Sequence, residues 1–228
     1  MAFVIPAPAV PSLPVEGSQD RFPVHRIYCV GRNFADHAIE MGHDPDREPP
    51  FFFQKNPDNL VPSGSTIPYP KGTSDLHFEV EMVVALKAGG EDVPVEKALD
   101  LVYGYGVGLD LTRRDLQGQA KKMGRPWEVG KAFEQSAPCS ALVPADRIGN
   151  PHTGRVWLSV NGQLRQDGDL NQMIWKVPEM IATLSTLFRL EPGDLIFAGT
   201  PAGVGATVAG DFLEGGVEGV ASITLTIA

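Results

Sequence analysis

Glycine and proline cut this chain into pieces too short for a helix bundle. There are 25 Gly and 20 Pro among 228 residues, and the apolar runs between them have strand rather than helix length. Strand-like runs fall at 26–30, 51–55, 80–86, 103–111, 156–160, 195–198 and 221–227. Helical spacing is confined to 95–101, 115–122 and 177–188, with a further short helix from Asn33 to Met41 that Pro45 must end. The expectation is a strand-dominated α+β fold. A chain of this length can bury one substantial core. It reads as an extended arm over 1–24 followed by a single domain over 25–228.

The arm is apolar but has no basic leader, and its prolines interrupt any signal-peptide core. No run approaches the roughly twenty apolar residues that span a bilayer. The formal charge of −9 repels phosphate backbones and anionic headgroups, so neither nucleic acid nor membrane is an expected partner. A cytoplasmic protein is expected. An anionic substrate would have to meet a local reversal of that charge, supplied by Lys, Arg or a metal. Cys29 and Cys139 lie in no metal-binding spacing and read as reduced thiols.

His77-Phe78-Glu79-Val80-Glu81 places two carboxylates two residues apart in an apolar run. On a strand both point to one face. Such a pair repels unless a cation lies between the two, and it would equally suit the solvent face of an edge strand. Asp110 ends another strand-like run and could add a third hard oxygen. Three carboxylates suit Mg²⁺ or Mn²⁺ better than Zn²⁺, and Ca²⁺ could occupy the same ligands.

The blocks GRNFADHAIEM (31–41), HFEVE (77–81), GLDLTRRDLQ (108–117), GRPWEVGKAFEQSAPC (124–139), LSVNGQLRQDGD (158–169) and PGDLIFAGTPAGVG (192–205) together resemble the fumarylacetoacetate hydrolase family. They span nearly all of the chain from Arg26 onward. Within it the chain is most similar to the short, single-domain acylpyruvate hydrolases. The resemblance implies a mixed β-roll with a short lid helix, a homodimer, and hydrolysis of a carbon–carbon bond in a 2,4-dioxo acid. The implied reaction takes fumarylpyruvate to fumarate and pyruvate in gentisate breakdown.

It also implies roles for individual residues. Glu79, Glu81 and Asp110 would hold one divalent cation, and His37 with Glu40 would form the general base. Lys131 would assist catalysis, while Arg114, Gln117 and Thr200 would contact the substrate. His37 and Glu40 lie three apart, so on a helix the carboxylate can orient the imidazole. Such a pair can deprotonate a water for attack on the C4 carbonyl. Breaking the C3–C4 bond leaves a pyruvate enolate, whose charge the metal and Lys131 would stabilise.

A distal carboxylate would need its own partner. Arg47 and Lys55 are preferred by position, with Arg32 as a third candidate. Phe51, Phe52, Phe53 and Trp127 read as packing residues, and Trp175 as packing that could border the pocket. His77 reads as support for the ligand pair, and His25, His43 and His152 as exposed. Oxaloacetate decarboxylases and hydroxymuconate-type isomerases or decarboxylases of the same family also work through a metal-stabilised enolate. A non-catalytic metal- or carboxylate-binding protein is the reading from another class.

Overall fold

The computed structural model describes residues 3–34 and 49–228. Strand β8 (Val80–Leu86) is apolar on both faces because both faces are covered. Met82, Val84 and Leu86 enter the main core, while Val83 and Ala85 enter a second cluster on the opposite face. β8 lies near the middle of the largest sheet. The order there is β4 (Phe51–Lys55), β3 (Ile27–Gly31), β15 (Leu195–Phe197), β8, β9 (Val102–Leu109), β11 (Ala137–Cys139) and β5 (Leu60–Pro62). β12 (Val143–Pro144) pairs with β9. Pairing is antiparallel except where β15 meets β3 and β11 meets β5.

A second sheet runs β14 (Gln163–Asp169), β13 (Arg155–Val160), β17 (Phe212–Val217), β18 (Ala221–Ile227), β6 (Ser65–Ile67). Its inward residues, Val156, Leu158, Leu213, Ile223 and Leu225 among them, join Met82, Val84, Tyr105 and Val107 of the large sheet in the main core. A three-stranded sheet, β10 (Thr112–Arg113), β7 (Leu76–Phe78), β16 (Gly205–Thr207), completes a mixed, strand-dominated roll. The helices are short: α1 (Arg114–Lys122), α2 (Glu128–Lys131), α3 (Ala145–Ile148) and α4 (Val177–Leu187), with a 3-10 turn at Val95–Leu101. α4 docks by Met180, Ile181 and Leu184. None of the described helices is long and apolar enough to cross a membrane.

Within the segment expected to be an extended arm, β1 (Ser12–Pro14) and β2 (Arg21–Pro23) pair as a hairpin. Leu13 and Phe22, opposite each other, pack into the second cluster against Val83 and Ala85. The hairpin thus covers one end of the β8 face whose other end carries Glu81.

Candidate active site

The expected strand over 80–86 is present, and the residues before it, Leu76–Phe78, form a separate strand. The chain leaves the three-stranded sheet after Phe78 and enters the large sheet at Val80, so Glu79 sits at the crossing. Its partner strand crosses at the same level, between β9 and β10. The register that pairs Val80 with Leu109 and His77 with Thr112 puts Glu79 opposite Asp110. The Asp110 N–H donates to the Glu79 carbonyl at 2.8 Å. Residues opposite on an antiparallel pair share a face, as do residues two apart on one strand. Glu79, Glu81 and Asp110 therefore converge, each offering an oxygen within 4.8 Å of the others, and all three are buried.

Three buried carboxylates facing one another need opposing charge. Three cations provide it. Lys131 Nζ bridges Glu79 Oε2 at 2.9 Å and Asp110 Oδ2 at 2.5 Å. Arg114 donates to Glu79 Oε1 and, at 2.7 Å, to Gln117 Oε1. Lys55 Nζ lies 2.9 Å from Asp110 Oδ1, at an angle that makes the contact an ion pair rather than a hydrogen bond. Burial works against the Lys131 charge, but Asp110 and Glu79 outweigh it and hold the ammonium above the ordinary lysine range.

Glu81 is the exception: its Oε2 accepts from the Gly199 N–H at 2.8 Å, and it makes no ion pair among the described residues. Burial, then Asp110 and Glu79, raise its pKa well above the ordinary carboxylate range. A proton or a cation at Glu81 would relieve this repulsion. The donors are hard carboxylate oxygens with no imidazole or thiolate within the group, which fits Mg²⁺ or Mn²⁺. Nearby Cys29 is buried, and burial followed by Asp110 pushes its thiol up, so it stays neutral.

The remaining predicted residues divide. Arg114, Gln117, Lys131 and Thr200 line a cleft together with the triad. Thr200 Oγ1 donates to the Val80 carbonyl at 2.8 Å and accepts from Gln166 Nε2 at 2.8 Å. Gln166 Oε1 in turn accepts from the Val80 N–H, so this pair braces the strand between the two glutamates. His77 supports Arg114: its Nδ1 accepts from Arg114 Nε at 3.4 Å while Nε2 faces Asp75 Oδ1 at 2.9 Å. Burial and then Arg114 lower its pKa, in keeping with a neutral ring.

Lys55 corrects its expectation. Its side chain is fully buried and its ammonium donates to the carbonyls of Leu111, at 3.1 Å, and Lys131. It faces the underside of Asp110 and does not border the cleft, so it is not placed to meet a distal carboxylate. His37, Glu40 and Arg47, and with them the lid helix, lie outside the described residues, as does His43. Asn33 clamps the chain: Nδ2 donates to the carbonyls of Trp175 and Ala198, and Oδ1 accepts from the Trp175 N–H. Trp175 packs against the main core.

Phe51, Phe53 and Trp127, read as packing residues, line the cleft, with Phe51 and Trp127 edge to face at 5.4 Å. Arg32 and Lys121 line it too. Lys121 had a legible signal: Arg114, Gln117 and Lys121 stand at i, i+3 and i+7, one face of α1. His25 pairs with buried Asp194 at 2.9 Å and is half exposed.

A buried hard-oxygen triad inside a ring of Lys and Arg, open to a cleft, is a group that could hold a divalent cation. The fumarylacetoacetate hydrolase C-terminal family matches residues 26–228, and the chain belongs to that family. It is 48% identical over 189 residues to a fumarylpyruvate hydrolase of Ralstonia sp, covering 82% of this chain and 98% of that one. It is 45% identical over 201 residues to a mitochondrial oxaloacetate tautomerase of Rattus norvegicus, covering 88% and 90%. The crystal structure of fumarylpyruvate hydrolase from Pseudomonas aeruginosa in complex with Mn²⁺ and pyruvate superposes with a TM-score of 0.97. The two are 48% identical, over 100% of this chain and 99% of that one.

Proposed function

We propose that the protein is a metal-dependent acylpyruvate hydrolase that cleaves fumarylpyruvate to fumarate and pyruvate. The observation that carries this reading is the triad: three buried carboxylates within 4.8 Å, met by Lys131, Arg114 and Lys55, in a chain 48% identical to a fumarylpyruvate hydrolase. A bound Mg²⁺ or Mn²⁺ supplies Lewis acidity toward the C1 carboxylate and C2 oxygen of the substrate, where enolate charge develops.

The chain's own residues do the rest. Arg114, steadied by Gln117 and His77, presents a guanidinium to the substrate carboxylate. Gln117 has its carbonyl oxygen engaged by Arg114, which leaves its amide hydrogens for the substrate. His37, oriented by Glu40, takes a proton from the water that attacks C4. The C3–C4 bond then breaks, its electron pair forms the pyruvate enolate, and protonation at C3 gives pyruvate. Lys131 faces the enolate oxygen with its ammonium. Thr200 borders this end of the cleft, its hydroxyl proton committed to Val80. The same reading makes the enzyme a cytoplasmic homodimer acting in gentisate breakdown.

The test is incubation of the purified protein with Mg²⁺ or Mn²⁺ and fumarylpyruvate, following loss of enol absorbance and identifying fumarate and pyruvate. Oxaloacetate is run in parallel, because relatives at 45% identity are oxaloacetate tautomerases and that chemistry also passes through an enolate. Survival of fumarylpyruvate beside conversion of oxaloacetate would replace the hydrolase with that second reading.

A further inference from the structure

Two further cations, Arg32 and Lys121, border the cleft. Among the described residues neither Arg32 nor Lys121 forms an ion pair. Each rests instead on an aromatic face: Arg32 lies 5.4 Å from the ring centre of Phe51, and Lys121 Nζ 5.0 Å from that of Trp127. The two rings touch edge to face. The arrangement is thus one continuous aromatic corner with a positive charge on each ring.

The backbone is bent to build it. Arg32 has φ +56°, a left-handed conformation that is strained for a non-glycine residue and gathers at ligand-binding sites. It follows Gly31, where an added Cβ would stand 2.0 Å from the Phe51 ring. Strand β3 therefore ends in an elbow that needs glycine to admit Phe51 and needs strain to turn Arg32 toward the cleft.

Lys121 arrives from the other side, on the same face of α1 as Arg114 and Gln117. Its surroundings are unfavourable to its own charge. Burial comes first, then Arg114 and Arg32, opposed by Glu79 and reinforced by Lys131, and together they draw its pKa down to about 8. Like charges crowded at a binding cleft are stabilised by an anion.

We propose that Arg32 and Lys121 form the shelf that receives the distal carboxylate of the substrate, restricting the site to acylpyruvates that end in a carboxylate. This rests on the hydrolase reading above. The triad, Lys131 and Arg114 take the dioxo-acid head, the Phe51–Trp127 corner borders the conjugated spacer, and the two cations close on the far carboxylate. Neither Arg32 nor Lys121 is among the three cations paired with the triad. The shelf sets selectivity, and the bond-breaking chemistry does not use it.

The experiment compares kcat/KM for fumarylpyruvate and for acetylpyruvate, which has the same head but a methyl terminus, in Mn²⁺-loaded wild type, Lys121→Met, Lys121→Arg and Arg32→Met/Lys121→Met. Fumarate binding by calorimetric titration is measured on every protein. Loss of one charge-assisted contact is expected to lower the fumarylpyruvate-to-acetylpyruvate ratio about 10-fold or more in Lys121→Met. A larger fall is expected in the double variant, fumarate should bind correspondingly more weakly, and Lys121→Arg should keep the wild-type ratio. Equal losses on the two substrates, or an unchanged ratio, overturn the shelf. If the wild type cleaves neither acylpyruvate, the hydrolase reading fails by itself, and fumarate decides the shelf. Binding weakened in the Met variants and kept in Lys121→Arg upholds it, and binding that is absent from the wild type or indifferent to the substitutions overturns it.

Discussion

Replacing Lys55 by Met tests the role the structure gives this residue as the fixed counter-charge beneath the triad. The change conserves length but removes an ammonium that lies 2.9 Å from Asp110 and donates to the Leu111 and Lys131 carbonyls, with its side chain at 0% exposure. Breaking one side of a buried ion pair costs about 3–5 kcal/mol, because the surviving charge remains buried. For a chain of this size each kcal/mol moves Tm by about 2–4 °C, so the metal-free variant should melt about 6–20 °C below the wild type. The same loss leaves only Lys131 and Arg114 against three carboxylates, and the triad should then hold a divalent cation more tightly. A tenfold gain in affinity adds about 1.4 kcal/mol of stabilisation at saturating metal. Mn²⁺ should therefore raise the Tm of the variant by about 3–6 °C more than it raises that of the wild type. Differential scanning calorimetry on chelator-treated protein, with and without Mn²⁺, reads both quantities. A metal-free Tm within about 3 °C of wild type, or a Mn²⁺ shift no larger than that of the wild type, would refute the reasoning.

Gly199 has φ +93°, its N–H holds Glu81, and a Cβ there would stand 2.6 Å from that of Asn33. Gly199→Ala should cost about 2–3 kcal/mol in urea unfolding and weaken Mn²⁺ binding in titration calorimetry. Burial, Arg114 and Arg32 lower the Lys121 pKa from 10.5 to about 8, so the folded state binds fewer protons than the unfolded state between those values. Stability should rise with pH across that window in low salt, and Lys121→Met should remove the rise in paired melting curves. Asp115 is affected by burial, which raises its pKa, but the Thr73 hydroxyl and the Ser74 and Leu116 N–H groups prevail and lower it. Its contribution is present above the ordinary value of 3.8 and lost as pH falls through the lowered one, so the stability gap between wild type and Asp115→Asn should close in acid. His37→Ala should abolish fumarylpyruvate cleavage and leave Mn²⁺ affinity nearly intact, whereas Glu79→Ala should lose both; equal loss of metal in the two would rule out His37 as the base.

The triad was half legible in the sequence because strand alternation is local: residues 79 and 81 share a face wherever the strand lies. That Glu79 stands opposite Asp110 was not legible, since register is set by pairing between strands distant in sequence. The same limit hid the sheet crossing at Glu79, where an apolar pattern runs on unbroken. Lys55 misled because a lysine after three phenylalanines reads as an exposed end, and full burial of lysine is rare without a partner. Its partners are Asp110 and two carbonyls from elsewhere in the chain. The β1–β2 hairpin has strands of three residues, too few to show a period. Phe51 and Phe53 were read as core because hydrophobicity records a tendency to leave water and says nothing of which wall a ring will form. Lys121 could have been found, since its spacing from Arg114 and Gln117 is a helix face.

What the fold adds to the charge argument is order. Three carboxylates and three cations give the buried site a formal charge near zero, which lets an acidic chain fold around it before any metal arrives. Glu81, without an ion-pair partner among the described residues, is where the deficit remains. A divalent cation bound there turns the site net positive inside a protein of charge −9. Arg32 and Lys121 extend that positive field along the cleft wall. An acidic surface and an anionic substrate are then compatible, because the reversal of sign is confined to the cleft and is complete only once the metal is in place.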